Sequence, residues 1–205
     1  MRPSASRLLA VAALVFLVAL PAHAASALVD GILNYRGFTV DMSVVAKAAN
    51  EEEIETSVKR QLDIAADSGA KPEILAFFRR QKVTLKFGEE DGGGRFTVNG
   101  VEVDAVPQAP DRPIILHEFL HALHAGYLPG GVTNDDVLRF YGNAVRGRIY
   151  PEDAYILKNV NEFFAVTASV YLWGFVARPP NNRVTLRAKQ PSYYGWLGQL
   201  FGVAK

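Results

Sequence analysis

The stretch HEFLHALH, from His117 to His124, constrains this chain more than any other part of it. In a helix, His117 and His121 lie one turn apart and point in the same direction, with Glu118 beside them. Residues 114–123 are apolar nearly all round, which is typical of a central, buried helix. Polar groups are costly in such a place unless they have partners. Two imidazoles beside a carboxylate therefore indicate a metal site built on a buried helix.

Residues 1–24 have the pattern of a secretory signal peptide. Arg2 and Arg7 precede an apolar run, residues 8–20, and a small-residue sequence that fits cleavage after Ala24 follows it. The apolar run is shorter than the roughly 20 residues that span a membrane as a helix. We therefore expect a cleaved signal and a secreted or periplasmic protein. The alternative is an uncleaved N-terminal anchor.

Residues 25–205 are expected to form one domain, with no stable membrane insertion once the signal is cleaved. The full-length protein is 49% hydrophobic, which is enough for one substantial core. Cleavage removes two arginines and no acid from 22 basic and 21 acidic side chains, leaving a formal charge of −1. That balance gives no sign of nucleic-acid binding. The absence of cysteine excludes disulfides and thiolate metal ligands.

The motif helix supplies two metal ligands, and an open zinc site needs a third. The mature protein has three histidines, all between His117 and His124. His124 lies about 10 Å along the helix from His117, too far for both rings and His121 to meet at one ion. We therefore expect His124 to pack or to support a ligand. The third ligand should then be an oxygen.

Glu162 is the strongest candidate for that oxygen ligand. It lies in an apolar segment of a helix predicted over residues 151–174, where a carboxylate is costly without a cation. The alternative is a surface carboxylate or one in a buried ion pair. Tyr155 precedes it by two helical turns on the same face, so its phenol is placed to donate a hydrogen bond to a developing oxyanion. The alternative for Tyr155 is simple packing.

The rest of the sequence predicts an α+β fold in which a small antiparallel sheet precedes the motif helix. The glycine-rich loop GEEDGGG is too acidic to bind phosphate, so we interpret its glycines as flexibility. Beside it, an exposed edge strand would either receive a peptide as an added strand or form an ordinary surface edge. The predicted elements are a short hairpin or extended segment at 31–40, helices at 50–67 and from Pro72, a strand at 82–87, a hairpin at 96–103 and a helix at 134–146.

In the second hairpin we expect Asn99-Gly100 to form the turn, with Phe96 opposite Val103 and Val98 opposite Val101. The C-terminal part is expected to be mainly helical. Residues 178–205 are predicted to form a closing loop and a helix, and their sequence assigns them no chemistry.

The HEFLH motif, with a downstream helix carrying Asn161-Glu162, resembles the gluzincin group of zinc peptidases. Glu162 lies 41 residues after His121 and is paired with Tyr155. This arrangement is similar to the pattern in the catalytic domain of anthrax lethal factor and in the small secreted Pro-Pro endopeptidases. The resemblance covers roughly residues 80–175 and implies a zincin-like fold, with the sheet packed on a central HExxH helix. Val166 stands where thermolysin-like enzymes carry an acid, and the G-x-M-E-N pattern of aminopeptidases is missing.

The resemblance implies a zinc-dependent endopeptidase that acts on peptide or protein substrates through a metal-activated water. His117, His121 and Glu162 would be the Zn²⁺ ligands, Glu118 the general base and Tyr155 the oxyanion donor. Two alternatives remain open from the sequence. One is a non-catalytic exported zinc-binding module, and the other is a zinc amide hydrolase that acts on the cell wall.

Overall fold

The computed structural model describes residues 27–88 and 92–205. The predicted signal peptide, residues 1–24, lies outside the described residues. None of the helices in the described part of the protein combines the length and hydrophobicity needed to cross a bilayer.

Six strands form one sheet in the order β1-β2-β3-β4-β6-β5. Their bounds are β1 Ala27–Val29, β2 Ile32–Tyr35, β3 Phe38–Asp41, β4 Val83–Lys86, β5 Gly94–Thr97 and β6 Gly100–Asp104. The predicted hairpin in 31–40 is present as β2 and β3. Its turn, Arg36-Gly37, has positive φ at both residues (51° and 83°), the geometry of a two-residue turn that matches the strand twist.

The sheet is mixed, whereas we expected it to be antiparallel throughout. β3 pairs with β4 in parallel, and β4 pairs with β6 in parallel. The first parallel pair arises because the backbone leaves β3, forms two helices and returns to the sheet in the original direction. The second parallel pair arises because β6 lies between β4 and β5, so that β6 is antiparallel to β5 and parallel to β4. As a result, β5 is at the edge of the sheet.

The hairpin of β5 and β6 has a different register from the predicted one. Phe96 lies opposite Val101, not Val103, and the turn residues are Val98 and Asn99. Gly100 takes a φ of 114° as the first residue of β6, in the manner of a hairpin turn followed by a glycine bulge. A Cβ there would lie 2.5 Å from the carbonyl oxygen of Lys82, so a glycine is required.

Seven α-helices complete the described structure. They are α1 Glu51–Ala66, α2 Pro72–Arg79, α3 Ile114–Gly126, α4 Asp135–Arg146, α5 Val160–Trp173, α6 Arg183–Lys189 and α7 Pro191–Phe201. The helices expected near 50–67, from Pro72 and near 134–146 are confirmed. The mainly helical C-terminal part is also confirmed, and the class is α+β as predicted.

The helix expected over 151–174 is wrong in its first third. Tyr155–Leu157 form a short 3-10 turn, and α5 begins only at Val160. The reason is the cap: Asn159 is extended, and its side-chain oxygen accepts a hydrogen bond from the backbone N–H of Glu162. Tyr155 and Glu162 are therefore not on one helical face.

The motif helix α3 lies at the centre of the core, as its apolar sequence predicts. Phe119 stacks on Phe38 of β3 at 5.7 Å between ring centroids and on Phe78 of α2 at 5.3 Å. On its other side α3 packs against α5, where His124 contacts Phe164. Because α3 is fixed by the sheet on one side and α5 on the other, polar side chains on these two helices have defined positions relative to each other.

Candidate metal centre

His117 and His121 present their ring nitrogens to the same point. Their Nε2 atoms are 3.1 Å apart, and the rings are nearly perpendicular at 87°. The one-turn spacing on α3 places both rings on one side of the helix, as predicted. Both side chains are largely buried, with 20% and 14% exposure. Two nitrogen donors therefore converge at the wall of a cleft.

Helix α5 brings Glu162 to these nitrogens. Its Oε2 lies 3.3 Å from His117 Nε2 and 3.5 Å from His121 Nε2. One ligand atom from each of the three residues lies within 4.8 Å of the others. Glu162 occupies the first turn of α5, which Asn159 caps, so the end of the helix fixes the carboxylate. The structure thus brings together the three residues predicted as ligands.

The chemistry of Glu162 suits a cation at this point. Burial alone would raise its pKa, but the contacts with His117 and His121 outweigh burial and hold the pKa well below its usual range. These contacts are within ion-pair distance, yet Oε2 is buried and has no partner in hydrogen-bond geometry. An ionised carboxylate beside two imidazole nitrogens forms the N,N,O donor set of open zinc sites. The residues present therefore fit a zinc ion.

Glu118 lies beside the two histidines but does not belong to the ligand group. Its side chain is nearly fully buried, and burial raises its pKa, although His117 and His121 oppose this shift. The backbone N–H of Phe96 in β5 hydrogen-bonds to the carboxyl and also opposes the rise. Glu118 is thus held between α3 and the edge strand with an affinity for protons above that of an ordinary carboxylate.

Gly94 allows the edge strand to approach Glu118 closely. A Cβ at this position would lie 2.9 Å from Glu118 Cγ and 3.1 Å from Ile114 Cγ2. At least this glycine of the GEEDGGG loop is required for space, whereas we had interpreted the glycines as flexibility. The sequence signal for this role of Gly94 was its position just before a run of aromatic and β-branched residues.

Tyr155 reaches the site from the 3-10 turn that precedes α5. Its pKa is raised to about 12, first by burial and then by the charge of Glu162 and a hydrogen bond to it. The guanidinium of Arg178 lies over the phenol ring, 4.2 Å from its centroid, and opposes the rise. The phenol therefore keeps its proton at neutral pH and is available as a donor.

His124 stays outside the ligand group, as the rise along α3 predicted. It is fully buried against Phe164, with 5.0 Å between ring centroids. Neither ring nitrogen has a hydrogen-bond partner in the described structure. Burial lowers its pKa to about 4, with a further contribution from His121. His124 is therefore a neutral imidazole in the core at neutral pH.

Two cavities flank the cluster, and His117, Glu118 and Tyr155 line both. The first, of about 310 Å³, extends past the start of α3 to Ser169 and Arg178. The second, of about 410 Å³, extends along Arg95 and Phe96 of the edge strand to Val132 and Asn161. A peptide that crosses the cluster therefore has space on both sides.

Several residues that line these cavities were missed by sequence reasoning. Asn161 has a buried side-chain oxygen with no partner, and Ser169 has a buried hydroxyl with none, among the residues that the structure describes. Their positions on α5, one residue before Glu162 and seven after it, were the only signal. Arg178 carried no signal, because the loop that returns it to Tyr155 depends on tertiary contacts.

No protein-family profile and no curated protein matches the sequence. The fold is similar to the solved structure of the Pro-Pro endopeptidase PPEP-2 from Paenibacillus alvei, with a TM-score of 0.50. The two proteins are 18% identical, and the similarity covers 76% of this one and 95% of that one. Likeness at this level of identity shows the fold. The fold that the sequence resemblance implied is confirmed, and the protein shares its architecture with a Pro-Pro endopeptidase.

Proposed function

We propose that the protein is a zinc-dependent endopeptidase. The observation that carries the proposal is the convergence of His117, His121 and Glu162, with Glu118 and Tyr155 beside them, in a cleft that is open on two sides. The likeness of fold to a Pro-Pro endopeptidase supports the same reaction class. We assign His117, His121 and Glu162 as ligands, Glu118 as general base and Tyr155 as oxyanion donor.

Zinc is the metal we propose, because two imidazoles and one carboxylate are the ligands of its hydrolytic sites. A bound zinc ion polarises a carbonyl group and brings the pKa of water down to about 7. His117 and His121 would bind it as neutral imidazoles, because only an unprotonated ring nitrogen has a lone pair to offer the ion.

Glu118 takes a proton from the attacking water on a carboxylate oxygen and then delivers it to the leaving amine. Burial raises the pKa of this carboxyl. A general base is most effective when its pKa approaches the working pH, so this shift improves proton transfer in both directions. The Phe96 N–H of the edge strand acts in the opposite direction on this pKa.

Tyr155 donates its phenolic hydrogen to the oxygen that becomes negative as the carbonyl is attacked. A pKa of about 12 keeps the hydroxyl protonated at neutral pH. The guanidinium of Arg178 stacks over the phenol ring beside the cleft. The role first inferred from helical spacing is therefore still proposed, although Tyr155 reaches the site from a turn.

The substrate we propose is the backbone of a peptide or protein. β5 is at the edge of the sheet, and Gly94, Arg95 and Phe96 line the cavity beside His121. An extended peptide can pair with such an edge as an added strand. Space on both sides of the cluster favours cleavage at internal peptide bonds over removal of terminal residues.

We also propose that the protein works outside the cytoplasm as a mature domain of residues 25–205. The support is the sequence pattern of residues 1–24. N-terminal sequencing of protein recovered from the culture medium or the periplasm tests this directly. A mature protein that begins at Ala25 is the expected result.

The deciding experiment compares three samples of the mature protein on casein, a peptide library and peptidoglycan. Zinc-loaded protein should cleave peptides, chelated protein should not, and Glu118→Gln should keep zinc with activity lower by about 10²- to 10⁴-fold. Release of peptidoglycan fragments alone would indicate the cell-wall amide hydrolase instead. Zinc binding without cleavage of any substrate would indicate a non-catalytic zinc module. Full activity in Glu118→Gln would refute the role of Glu118.

A further inference from the structure

The first cavity contains a positive charge that the proposed reaction does not use. Arg178 lines this cavity beside His117, Glu118 and Tyr155. Among the described residues, its guanidinium forms no ion pair with a carboxylate. Its contact is the face of the Tyr155 ring, 4.2 Å from the centroid. A guanidinium stacked in this way keeps its N–H groups directed outward around its edge, where they are available to an acceptor.

The loop that carries Arg178 is held by its own hydrogen bonds. Asn181 donates from its backbone to Arg178 O at 2.9 Å and from its side chain to Ala177 O at 3.2 Å. Val176 donates from its backbone to Asn181 O at 2.8 Å. Phe175 and Asn182 close the loop as an isolated antiparallel bridge. The loop backbone from which Arg178 reaches Tyr155 is therefore fixed in advance, which lowers the entropy lost when a ligand binds.

Ser169 adds a second polar group to the same cavity. It lies on α5 two turns after Glu162, so both face α3. Ser169 is fully buried, and its hydroxyl oxygen has no hydrogen-bond partner in the described structure. A buried hydroxyl without a partner is costly, and an acceptor entering the cavity would remove that cost. The cavity thus has a cation at its surface and, within its wall, a buried hydroxyl that lacks a partner in the described structure.

We propose that this cavity binds a carboxylate of the substrate through the guanidinium of Arg178, supported by the hydroxyl of Ser169 in the cavity wall, and so selects peptides that place an acidic group in the cavity. The carboxylate is that of an aspartate or glutamate side chain, or the terminal carboxylate of the peptide. The inference rests on the proposed function, because it takes a peptide as the ligand.

A basic substrate residue is the competing ligand, since Asp111 also lines the cavity. Asp111 and Arg178 are both exposed, but Asp111 is followed directly by Arg112, which lines the cavity as well, so that wall carries both signs. The opposite wall carries Arg178, with no acid paired to it among the described residues. Guanidinium groups bind carboxylates in a planar, two-point geometry, which makes Arg178 the stronger determinant.

The test measures peptide selection in a protein that binds but does not turn over its ligand. Zinc-loaded Glu118→Gln is mixed with random hexapeptides, half of them amidated at the C-terminus, and bound peptides are identified by mass spectrometry after gel filtration. Enrichment of Asp and Glu over Asn and Gln among amidated peptides reports a side-chain carboxylate. Enrichment of free-acid over amidated peptides reports the terminal carboxylate.

One of these two enrichment ratios should be about ten, the enrichment expected from one hydrogen bond to a charged group. The enrichment ratio should fall to near unity when Arg178→Gln is added. It should fall less with Ser169→Ala and stay unchanged with Arg187→Gln. Arg187 is a matched control, because it also lies over a tyrosine ring, that of Tyr194, and does not line the cavity. The proposal would be overturned by enrichment ratios near unity with Arg178 present, by enrichment of Lys and Arg, or by a preference that survives Arg178→Gln.

This binding assay separates the inference from the proposed function. Acid selection that depends on Arg178, in a zinc-loaded wild-type protein that cleaves no peptide, supports the inference and contradicts the endopeptidase. Cleavage of peptides by the wild type with no acid selection in the assay supports the endopeptidase and overturns the inference.

Discussion

Glu162 determines whether the cluster is a metal site or only a pair of neighbouring histidines. His117 and His121 follow from their spacing on one helix, but Glu162 must be supplied by another helix at 3.3 and 3.5 Å. Its buried oxygen lacks a hydrogen-bond partner in the described structure, which is unfavourable for an ionised carboxylate in the absence of a cation. The placement of Glu162 is therefore favourable for a bound cation.

Glu162→Ala should abolish stoichiometric zinc binding, because two imidazoles alone leave the ion with half of a tetrahedral site. Metal content after dialysis, measured by elemental analysis, should fall from about one zinc per molecule to near zero. Glu152→Ala is the control, since Glu152 is an exposed carboxylate outside the ligand group on the same connection. Unchanged zinc content in Glu162→Ala would remove Glu162 from the ligand set.

Two elements place these side chains, and each depends on one residue. Gly94 lets β5 approach α3, and Asn159 sets the point at which α5 begins. Gly94 acts through the space it leaves and Asn159 through its cap of the α5 backbone, so neither would be recognised as part of the site from its own chemistry. The cleft has its shape because an edge strand and a helix start are fixed on opposite sides of α3.

Gly94→Ala should strongly reduce the activity of a protein that still folds. The added Cβ would lie 2.9 Å from Glu118 Cγ, so Glu118, the proposed general base, or the strand must shift. A displacement of this kind costs about 10²-fold in kcat/KM, while overpacking costs about 1–3 kcal/mol of unfolding free energy. Gly195→Ala is the control, because no atom lies within 4 Å of its Cβ and alanine is the better helix former. Equal activity in both variants would show that β5 adjusts without disturbing Glu118.

Asn159→Ala should lower both stability and zinc affinity, whereas Asn134→Ala should lower stability alone. Both side chains cap a helix by accepting a backbone N–H, at 2.9 Å from Glu162 and at 3.1 Å from Val137. Loss of either cap costs about 1 kcal/mol. Only α5 carries a proposed ligand in its first turn, so competition with a chromogenic chelator should show weaker zinc binding in Asn159→Ala only. Equal zinc affinity in the two variants would mean that packing alone holds Glu162.

Across the whole molecule, features that depend on residues close in sequence were predictable, and features that depend on distant residues were not. The central helix, the short helices and the two histidines were predictable because the apolar spacing and the caps are local in sequence. The mixed sheet was not, because pairing of β3 with β4 depends on the path of two intervening helices. The hairpin register was missed because it is set by Gly100 and Lys82, which are distant in sequence. The role of Tyr155 was inferred from its helical spacing to Glu162, but the helix that carries Glu162 begins only after the cap at Asn159.

Burial of His124 in the common core of α3 and α5 should make the stability of the whole fold depend on pH. Its folded pKa of about 4 lies below the ordinary 6.5, so the unfolded protein binds one more proton between these values. The stabilising contribution is therefore present above pH 6.5 and is lost as pH falls towards 4, by at most about 1.4 kcal/mol per pH unit. We expect His124→Leu to remove this component.

Urea unfolding of metal-free protein from about pH 4.5 to about pH 7.5 measures the effect. The unfolding free energy of the wild type minus that of His124→Leu should decrease by roughly 2–3 kcal/mol from the upper to the lower end. Exposed titratable groups are common to both proteins, and their contributions largely cancel in the difference. A difference that stays constant over this range would mean that the imidazole of His124 is not held neutral by the core.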